Sequence, residues 1–558
     1  MKARLSRTFF LIGLAAAVWC GVVLITGGVT VRVSGAVLVS RDPVRPFLFA
    51  CAAWLTSVLI SAADARKTAR RILGTSTERP RRVAAIAAAA ALIAAMAWNT
   101  RAAGGSDSAC YVLQAEAFAH GQALLLHPLA GRIGGLPPAA FAPTGFIPSP
   151  REPFAAAPIC APGLALVMAI ARVFGANAVF MVVPLAAGFT VWLTFVFAKR
   201  ATDDLAGATA ACLLACSPIF LYQAVQPMSD VPAALFFLAA LTATARGDRF
   251  GAIAGGICAS LAVLTRPNLV PATVPLLWLL PDRRARIRWI GGAVPGAVVL
   301  AVLNGIRYGS PLATGYGSAG DLFSTAHVAA NLSRYPRWFV ETQSPMAVLA
   351  VAAPWVVRGD GLRTRLAIVS LVASSLVIAP YLVYTVFDDW WYLRFLLPVL
   401  PALLAYGVAV VLRVAPARAR VAVAVGLASV LGAWCVSVAV ERHVFELQRL
   451  ESRFALTGAY AARELPPDAV VLAVQQSSSI RFYAGIPTID WGAVPADGLD
   501  ALVTGLQSSG RPLFAALEDA ETQPFRERFA GQRCGALVDR PFGEVSAAVR
   551  VRLYRLSC

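Results

Sequence analysis

The sequence predicts a polytopic α-helical membrane protein with a small α/β domain at its C-terminal end. Three observations predict it. Of 558 residues, 58% are hydrophobic and only 14% charged, with a mean hydropathy of +0.68; soluble domains carry about 25% charged residues. Apolar runs recur that approach the roughly 20 residues a spanning helix needs. The chain from Glu441 to Cys558 breaks that pattern and has ordinary soluble composition. Together these exclude disorder, a collagen-like chain and an ordinary cytosolic enzyme.

The apolar runs are thirteen, near 9–28, 46–63, 83–99, 177–198, 205–221, 230–245, 250–265, 268–281, 289–304, 345–358, 366–386, 395–413 and 421–440. The first is too long for a signal peptide and no small-residue cleavage site follows it. Basic residues set the orientation. Lys2, Arg4 and Arg7 precede the first run, and Arg66 to Arg82 follow the second. Lys199 and Arg200, then Arg283 to Arg288, then Arg413 to Arg420, fall on that same side. The positive-inside rule places all of them in the cytoplasm, with the N-terminus inside and the C-terminus periplasmic. Residues 1–82 are then two extra N-terminal helices and a cytoplasmic basic loop, and 83–440 the main membrane module with outer loops 100–177 and 304–344. Residues 441–558 form a periplasmic α/β domain, in which "AVVLAVQQSSSIRFYAGIP" reads as strand, turn and short helix and "VSAAVRVRLYRL" as a late strand. The segment "TGGVTVRVSGAVLVSRDPVRP" alternates like a hairpin. The run 161–174 is short for a span and reads as a helix at the outer interface.

The net charge of +19 does not point to nucleic acid. From Glu441 onward the net is −1, and the preceding residues carry +20, so the cations travel with the apolar runs rather than on one face of a folded domain. The partners implied are membrane lipids, not nucleic acid. Ten cysteines show no CxxC and no Cys/His spacing suited to a metal. Four lie outside the apolar runs: Cys110 and Cys160 in one loop, Cys534 and Cys558 in the tail. In an oxidising compartment each pair is a candidate disulfide.

The first outer loop opens with "GGSDSACYVLQAEAFAHGQ". Asp107 falls just after an apolar run, and Tyr111 and Phe118 follow at helical spacing, as in an amphipathic helix lying on the membrane. A carboxylate there suits proton removal from an acceptor hydroxyl at the interface. An N-cap is the plainer role.

From these residues onward the chain resembles membrane glycosyltransferases of the GT-C superfamily, which have an acid at the start of the first large outer loop. Here that is Asp107, with Tyr111 and "AHGQ" after it. A Pro-rich stretch and juxtamembrane helix follow, "REPFAAAPICAPGLALVMAIARVFG", then a span ending "VFAKRATDD", one ending "LLACSP" and one ending "LAVLTRPNL". Last come "NGIRYGSP" and "WYLRFLLPVLP". The order of these segments over residues 83–415 resembles the bacterial branch near aminoarabinose transferases, protein O-mannosyltransferases and the RgtA/B/C/D-type enzymes. The resemblance implies a GT-C-type transmembrane bundle of about 13 helices. It implies inverting transfer of a hexosyl or pentosyl group from a polyprenyl-phosphate donor, at the bacterial inner membrane, in cell-envelope glycan biosynthesis. The acceptor is a lipid, a glycan or a protein. Asp107 is then the general base. Many relatives have Asp-Glu in this loop; Ser108 stands here instead, and Glu152, before the Pro-rich stretch, is the candidate second acid, against a plain solvated residue beside Arg151.

Outer arginines are informative because topology does not explain them. Arg266, Arg394 and Arg307 fall near outer ends of runs and suit the donor phosphate through bidentate, charge-assisted hydrogen bonds; snorkelling to headgroups is the alternative. Asp388 and Asp389 either orient Arg394 or offer a cation site, which leaves a divalent metal cofactor open. Asp230, at the start of a run, either faces the substrate cavity with Tyr111 or caps its helix. His127 and His327 lack paired ligand spacing for a metal. Arg481, Phe482 and Tyr483 read as packing inside the tail domain, with contact to an acceptor glycan as the alternative. A flippase of lipid-linked saccharide is the alternative function, yet the polar residues cluster at one face and no internal repeat of the transporter kind appears. A non-catalytic assembly partner is the third reading.

Overall fold

The computed structural model describes residues 2–26, 29–33, 36–40, 44–65, 67–68, 80–357, 361–535 and 541–557. Most of the basic loop 66–82, with Arg66, Arg70, Arg71 and Arg79, lies outside them, as does Cys558.

Over the described residues every predicted apolar run is largely helical, but not every run is one straight helix. Among the described residues, Pro80–Ala97, Ala176–Ala201, Arg283–Tyr308, Gly361–Leu382 and Arg420–Glu441 are long and apolar enough to cross a membrane. Two bent pairs add to these: Asp204–Cys216 with Pro218–Ala224, bent by 62°, and Trp390–Leu396 with Leu400–Val414, bent by 88°. Proline makes both breaks, since it removes a backbone donor and clashes with the preceding turn. The run at 268–281 is three short helical pieces, each with proline in its first turn. Asp230–Thr244 and Arg249–Thr265 are regular but shorter than a full span.

Small side chains let these helices approach. Ala84, Ala87, Ala91 and Ala95 recur every three or four residues along Pro80–Ala97 and are all buried. That stripe is the period of one helix face, and small residues are how apolar helices pack without a hydrophobic drive from water.

Among the described residues three sheets accompany the helices. β1 (Val29–Val33) and β2 (Ala36–Ser40) form the expected antiparallel hairpin. In the 100–177 loop, β3 (Leu125–Leu126), β4 (Phe146–Pro148) and β5 (Ala155–Pro158) pair antiparallel in the order β3-β5-β4. The tail holds β6 (Val470–Leu472), β7 (Thr488–Ile489), β8 (Leu513–Glu518), β9 (Gly543–Val545) and β10 (Val551–Leu556) in the order β7-β6-β8-β10-β9. β6 runs parallel to β7 and β8, and β10 antiparallel to β8 and β9. All six residues of β8 are buried, as a strand covered on both faces requires. The strand–helix reading of 469–487 and the late strand both match.

The tail is less separate than its composition suggests. Leu129 and Ala140 of the first loop sit in the same apolar cluster as Leu502, Leu513 and Phe525 of the tail. The backbone N–H of Asp490 donates to Ala140 O at 2.8 Å, and Thr144 Oγ1 donates to Val474 O at 2.7 Å. Arg481, Phe482 and Tyr483 are a correction: they pack outward onto the first loop. Arg481 donates to Leu126 O at 3.0 Å, Phe482 meets Phe180 edge-on, and Tyr483 donates to Arg101 O at 2.8 Å while accepting from Ala103 N at 3.0 Å. His127 is spent in the same seam, its Nε2 2.8 Å from Thr488 O and its Nδ1 accepting from Leu129 N at 3.2 Å.

Candidate functional site

One cavity of about 750 Å³ gathers most of the residues singled out above. Its wall includes Asp107, Tyr111, Asp230, Arg266 and Arg394. These come from four helical elements, and local sequence explains each placement.

Asp107 is the first residue of the Asp107–Ala119 helix. Gly105, at φ +64°, turns the chain into it, a conformation that favours glycine. The N-cap position belongs to Ser106, so the capping role for Asp107 does not hold. The helix is not amphipathic on a membrane surface either: Ser108 to Ala115 are buried without a break. The reason is that it is enclosed. Cys110 is disulfide-bonded to Cys160, and Gly145, at φ +89°, brings the loop so close that a Cβ there would lie 2.4 Å from Ser106 O. Cys534 is also disulfide-bonded; Cys558 lies outside the described residues.

Arg394 sits in the Trp390–Leu396 turn ahead of the 88° bend. Its Nη2 pairs with Asp107 Oδ2 at 2.8 Å, with both side chains largely enclosed. Its Nε finds no partner among the described residues. The guanidinium lies 5.5 Å from the Tyr392 ring and 5.4 Å from the Phe395 ring.

Arg266 ends the Arg249–Thr265 helix in an extended conformation because Pro267 follows. Gly163 sets the spacing here: a Cβ there would meet Thr265 N at 2.4 Å. Arg266 pairs with Asp230 and lies 5.6 Å from the same Phe395 ring, so one aromatic face serves both guanidinium groups. Asp230 opens its helix but does not cap it; Ser229 holds that position. The Asp230 side chain is fully buried, and its Oδ2 finds no partner among the described residues. Tyr111 donates its hydroxyl to Ser229 Oγ at 2.8 Å, and burial together with the charge of Asp107 pushes this phenol up.

Four other candidates lie elsewhere. Glu152 is exposed in the turn between β4 and β5, where its backbone N–H meets Ser149 Oγ at 3.3 Å. Asp388 is 85% exposed and pairs with Arg334 at 2.8 Å, so it does not orient Arg394. Asp389 is exposed and starts the Trp390–Leu396 turn through its backbone carbonyl, which accepts from Tyr392 N at 3.2 Å. Neither lines the cavity, and among the described residues no three His, Cys, Asp or Glu side chains gather to hold a metal ion. Arg307 is wholly buried beneath the Asp107–Ala119 helix, outside the cavity wall. It donates to Ala123 O at 3.2 Å and lies 5.2 Å from the Phe118 ring. Turned with its oxygen toward the guanidinium, the Gln114 amide accepts from it at 2.9 and 3.0 Å.

The cavity also holds residues that sequence reasoning passed over: Tyr222, Gln223, Asn268, Tyr381 and Glu451. Asn268 Nδ2 donates to the Tyr381 hydroxyl at 2.6 Å. Glu451 comes from the tail helix Leu447–Glu464, and burial raises its carboxyl despite Arg453 beside it. Polar residues crowding the end of an apolar run in "LYQAVQPMSD" were a signal for Gln223; nothing marked Glu451 among fourteen tail acids.

The family model described as Oligosaccharyl transferase STT3, N-terminal, matches residues 158–245, which include Asp230 but neither Asp107 nor Arg394. No curated protein matches the chain. The crystal structure of ArnT from Cupriavidus metallidurans bound to undecaprenyl phosphate superposes with a TM-score of 0.53 at 13% identity, over 85% of this chain and 97% of that one. The apo structure of the same protein gives 0.54 at 13% identity, over 86% and 98%. That likeness, over more than four fifths of both chains, shows a shared fold, and this chain is a membrane protein of the GT-C fold.

Proposed function

We propose that this protein is a glycosyltransferase that moves a sugar from a polyprenyl-phosphate donor to an acceptor at the outer face of the cytoplasmic membrane. Transfer inverts the anomeric carbon, with Asp107 as general base. The observation that carries the reading is the Asp107–Arg394 ion pair on a cavity wall shared with Asp230 and Arg266. The bound undecaprenyl phosphate in the ArnT crystal structure supports the class of donor. The orientation read from basic residues supports the outer face, with the N-terminus cytoplasmic and residues 441–558 periplasmic.

The paired acid and cation have separate tasks once substrates arrive. A donor phosphate competes for the Arg394 guanidinium, which binds its oxygens through charge-assisted hydrogen bonds. Asp107 is thereby freed to take the proton of the acceptor hydroxyl. The acceptor oxygen attacks the anomeric carbon on the face away from the phosphate. The carbon–oxygen bond to phosphate breaks, and its electron pair leaves with the polyprenyl phosphate. Arg394 and Arg266 hold that charge as it develops, in an enclosed site where such contacts are strongest. Asp230 fixes Arg266. Glu152, Arg307, Asp388 and Asp389 take no part.

The test pairs Asp107→Asn with lipid and glycan profiling of a deletion strain. The wild-type gene restores one missing sugar. The variant does not, yet the purified variant still binds undecaprenyl phosphate. A fully active variant would refute the proposal, and a flippase would show that result.

A further inference from the structure

The transfer step leaves part of the cavity wall unused. Tyr222 and Trp391 stack there, with ring centroids 6.0 Å apart and planes within 5°. Gln223, the next residue, is 1% exposed, and its Oε1 has no hydrogen-bond partner among the described residues. A buried polar atom left open at a cavity wall points to a ligand that fills it. The tail reaches this cavity through Leu447 and Glu451. One Glu451 oxygen lies 3.3 Å from Arg453, but Arg453 is held more closely by Glu518 at 2.9 Å, and the Glu451 side chain stays 23% exposed.

Resting on the transferase reading above, we infer that Tyr222, Trp391, Gln223 and Glu451 form a subsite for a saccharide acceptor. The stacked rings take the C–H face of a sugar ring, and the Gln223 oxygen and the Glu451 carboxylate accept its hydroxyl protons. The chemistry selects this occupant. An acyl chain offers no donors for Gln223 and Glu451. An ammonium group meets Arg394 and Arg266 in the same cavity and an Arg453 that already offsets Glu451. An array of neutral hydroxyls beside a flat apolar face fits all four side chains. The subsite belongs to the acceptor because the donor phosphate is already served by the two acid–arginine pairs, and because one of its members arrives on the tail, away from the bundle.

The experiment uses the full chain in detergent. The probe is a set of short oligosaccharides released from the envelope polysaccharide of the deletion strain, which lack the sugar this protein adds. Undecaprenyl phosphate binding is measured in parallel on every variant. Wild type, Asp107→Asn and Tyr222→Phe are expected to bind the oligosaccharides within twofold of one another. Tyr222→Leu is expected to weaken that binding at least tenfold and Glu451→Gln at least threefold, with undecaprenyl phosphate binding within twofold of wild type. Unchanged oligosaccharide binding in both variants overturns the subsite. So does a wild-type protein that binds undecaprenyl phosphate and secreted-protein peptides but no oligosaccharide. Loss of both ligands together makes these side chains structural and overturns it as well. A wild-type protein that binds no undecaprenyl phosphate sinks the donor reading instead, which is a separate result.

Discussion

Two regions carry arginines on the loop-bearing side of the bundle, and they use them in opposite ways. In the cavity, Arg266 and Arg394 pair directly with carboxylates on the wall of an open volume, and among the described residues polar atoms around them lack partners: Asp230 Oδ2, Arg394 Nε and Gln223 Oε1. Beneath the Asp107–Ala119 helix, Arg307 faces no acid; a backbone carbonyl, the Gln114 amide and an aromatic ring enclose it. The first region is unfinished without a ligand, and the second is complete. Position relative to the membrane predicts neither outcome. What separates them is whether the guanidinium's partners are charged and whether space remains beside it.

The largest effects should fall in the unfinished region. Asp107→Asn is expected to lower turnover by about 10²–10⁴-fold, read as product formed per purified molecule, with donor binding retained. Arg394→Ala should lower transfer by about 10²-fold or more and weaken undecaprenyl phosphate binding, whereas Arg394→Lys should recover part of the binding. Equal activity in Arg394→Ala and wild type would erase the contrast between the two regions.

Arg307→Met tests the finished region. It strands the Gln114 amide and Ala123 O, so the folded state should lose about 1–3 kcal/mol, seen as a lower thermal midpoint. Turnover per folded molecule should stay within twofold. A selective loss of donor affinity in this variant would move Arg307 back into the binding machinery.

A pH effect is expected in the seam between loop and tail. Burial pushes His127 down from 6.5 to about 4, so the folded protein favours the neutral ring. The contribution is therefore complete above pH 6.5 and is lost as pH falls toward 4. Hydrogen exchange across residues 122–145 should accelerate over that window, and His127→Gln should flatten the response. The smallest effects belong to the exposed acids: Glu152→Gln and Asp388→Asn should each leave transfer within twofold.

Much of this molecule was legible before any coordinates. Apolar runs are read by length and strands by alternation, so the helices and the tail strands followed. Asp107, Tyr111, Arg266, Arg394 and Asp230 were legible because polar side chains at the edge of an apolar run need a reason. Asp388 and Asp389 carried the same signal and lie outside the cavity, because an edge says nothing about which way a turn points; Glu152 rested on the resemblance alone and is exposed in the turn between β4 and β5. The enclosure of the Asp107 helix was illegible, since its cover comes from the short strands β3, β4 and β5 later in its own loop and from the tail, hundreds of residues away. Glu451 was hidden for the same cause: among many acids on a soluble surface, only the docking of its helix makes one special.

Tyr483 has a consequence for how the molecule comes to exist. Its hydroxyl clamps both Arg101 O and Ala103 N, the stretch that leads into Asp107. That clamp joins two segments about 380 residues apart in the order of synthesis. The stretch leading into Asp107 therefore gains this support only after the residues around position 483 have been made. A nonsense codon between positions 442 and 483 would spare every described helix of the bundle and still leave the stretch that leads into Asp107 without this backstop.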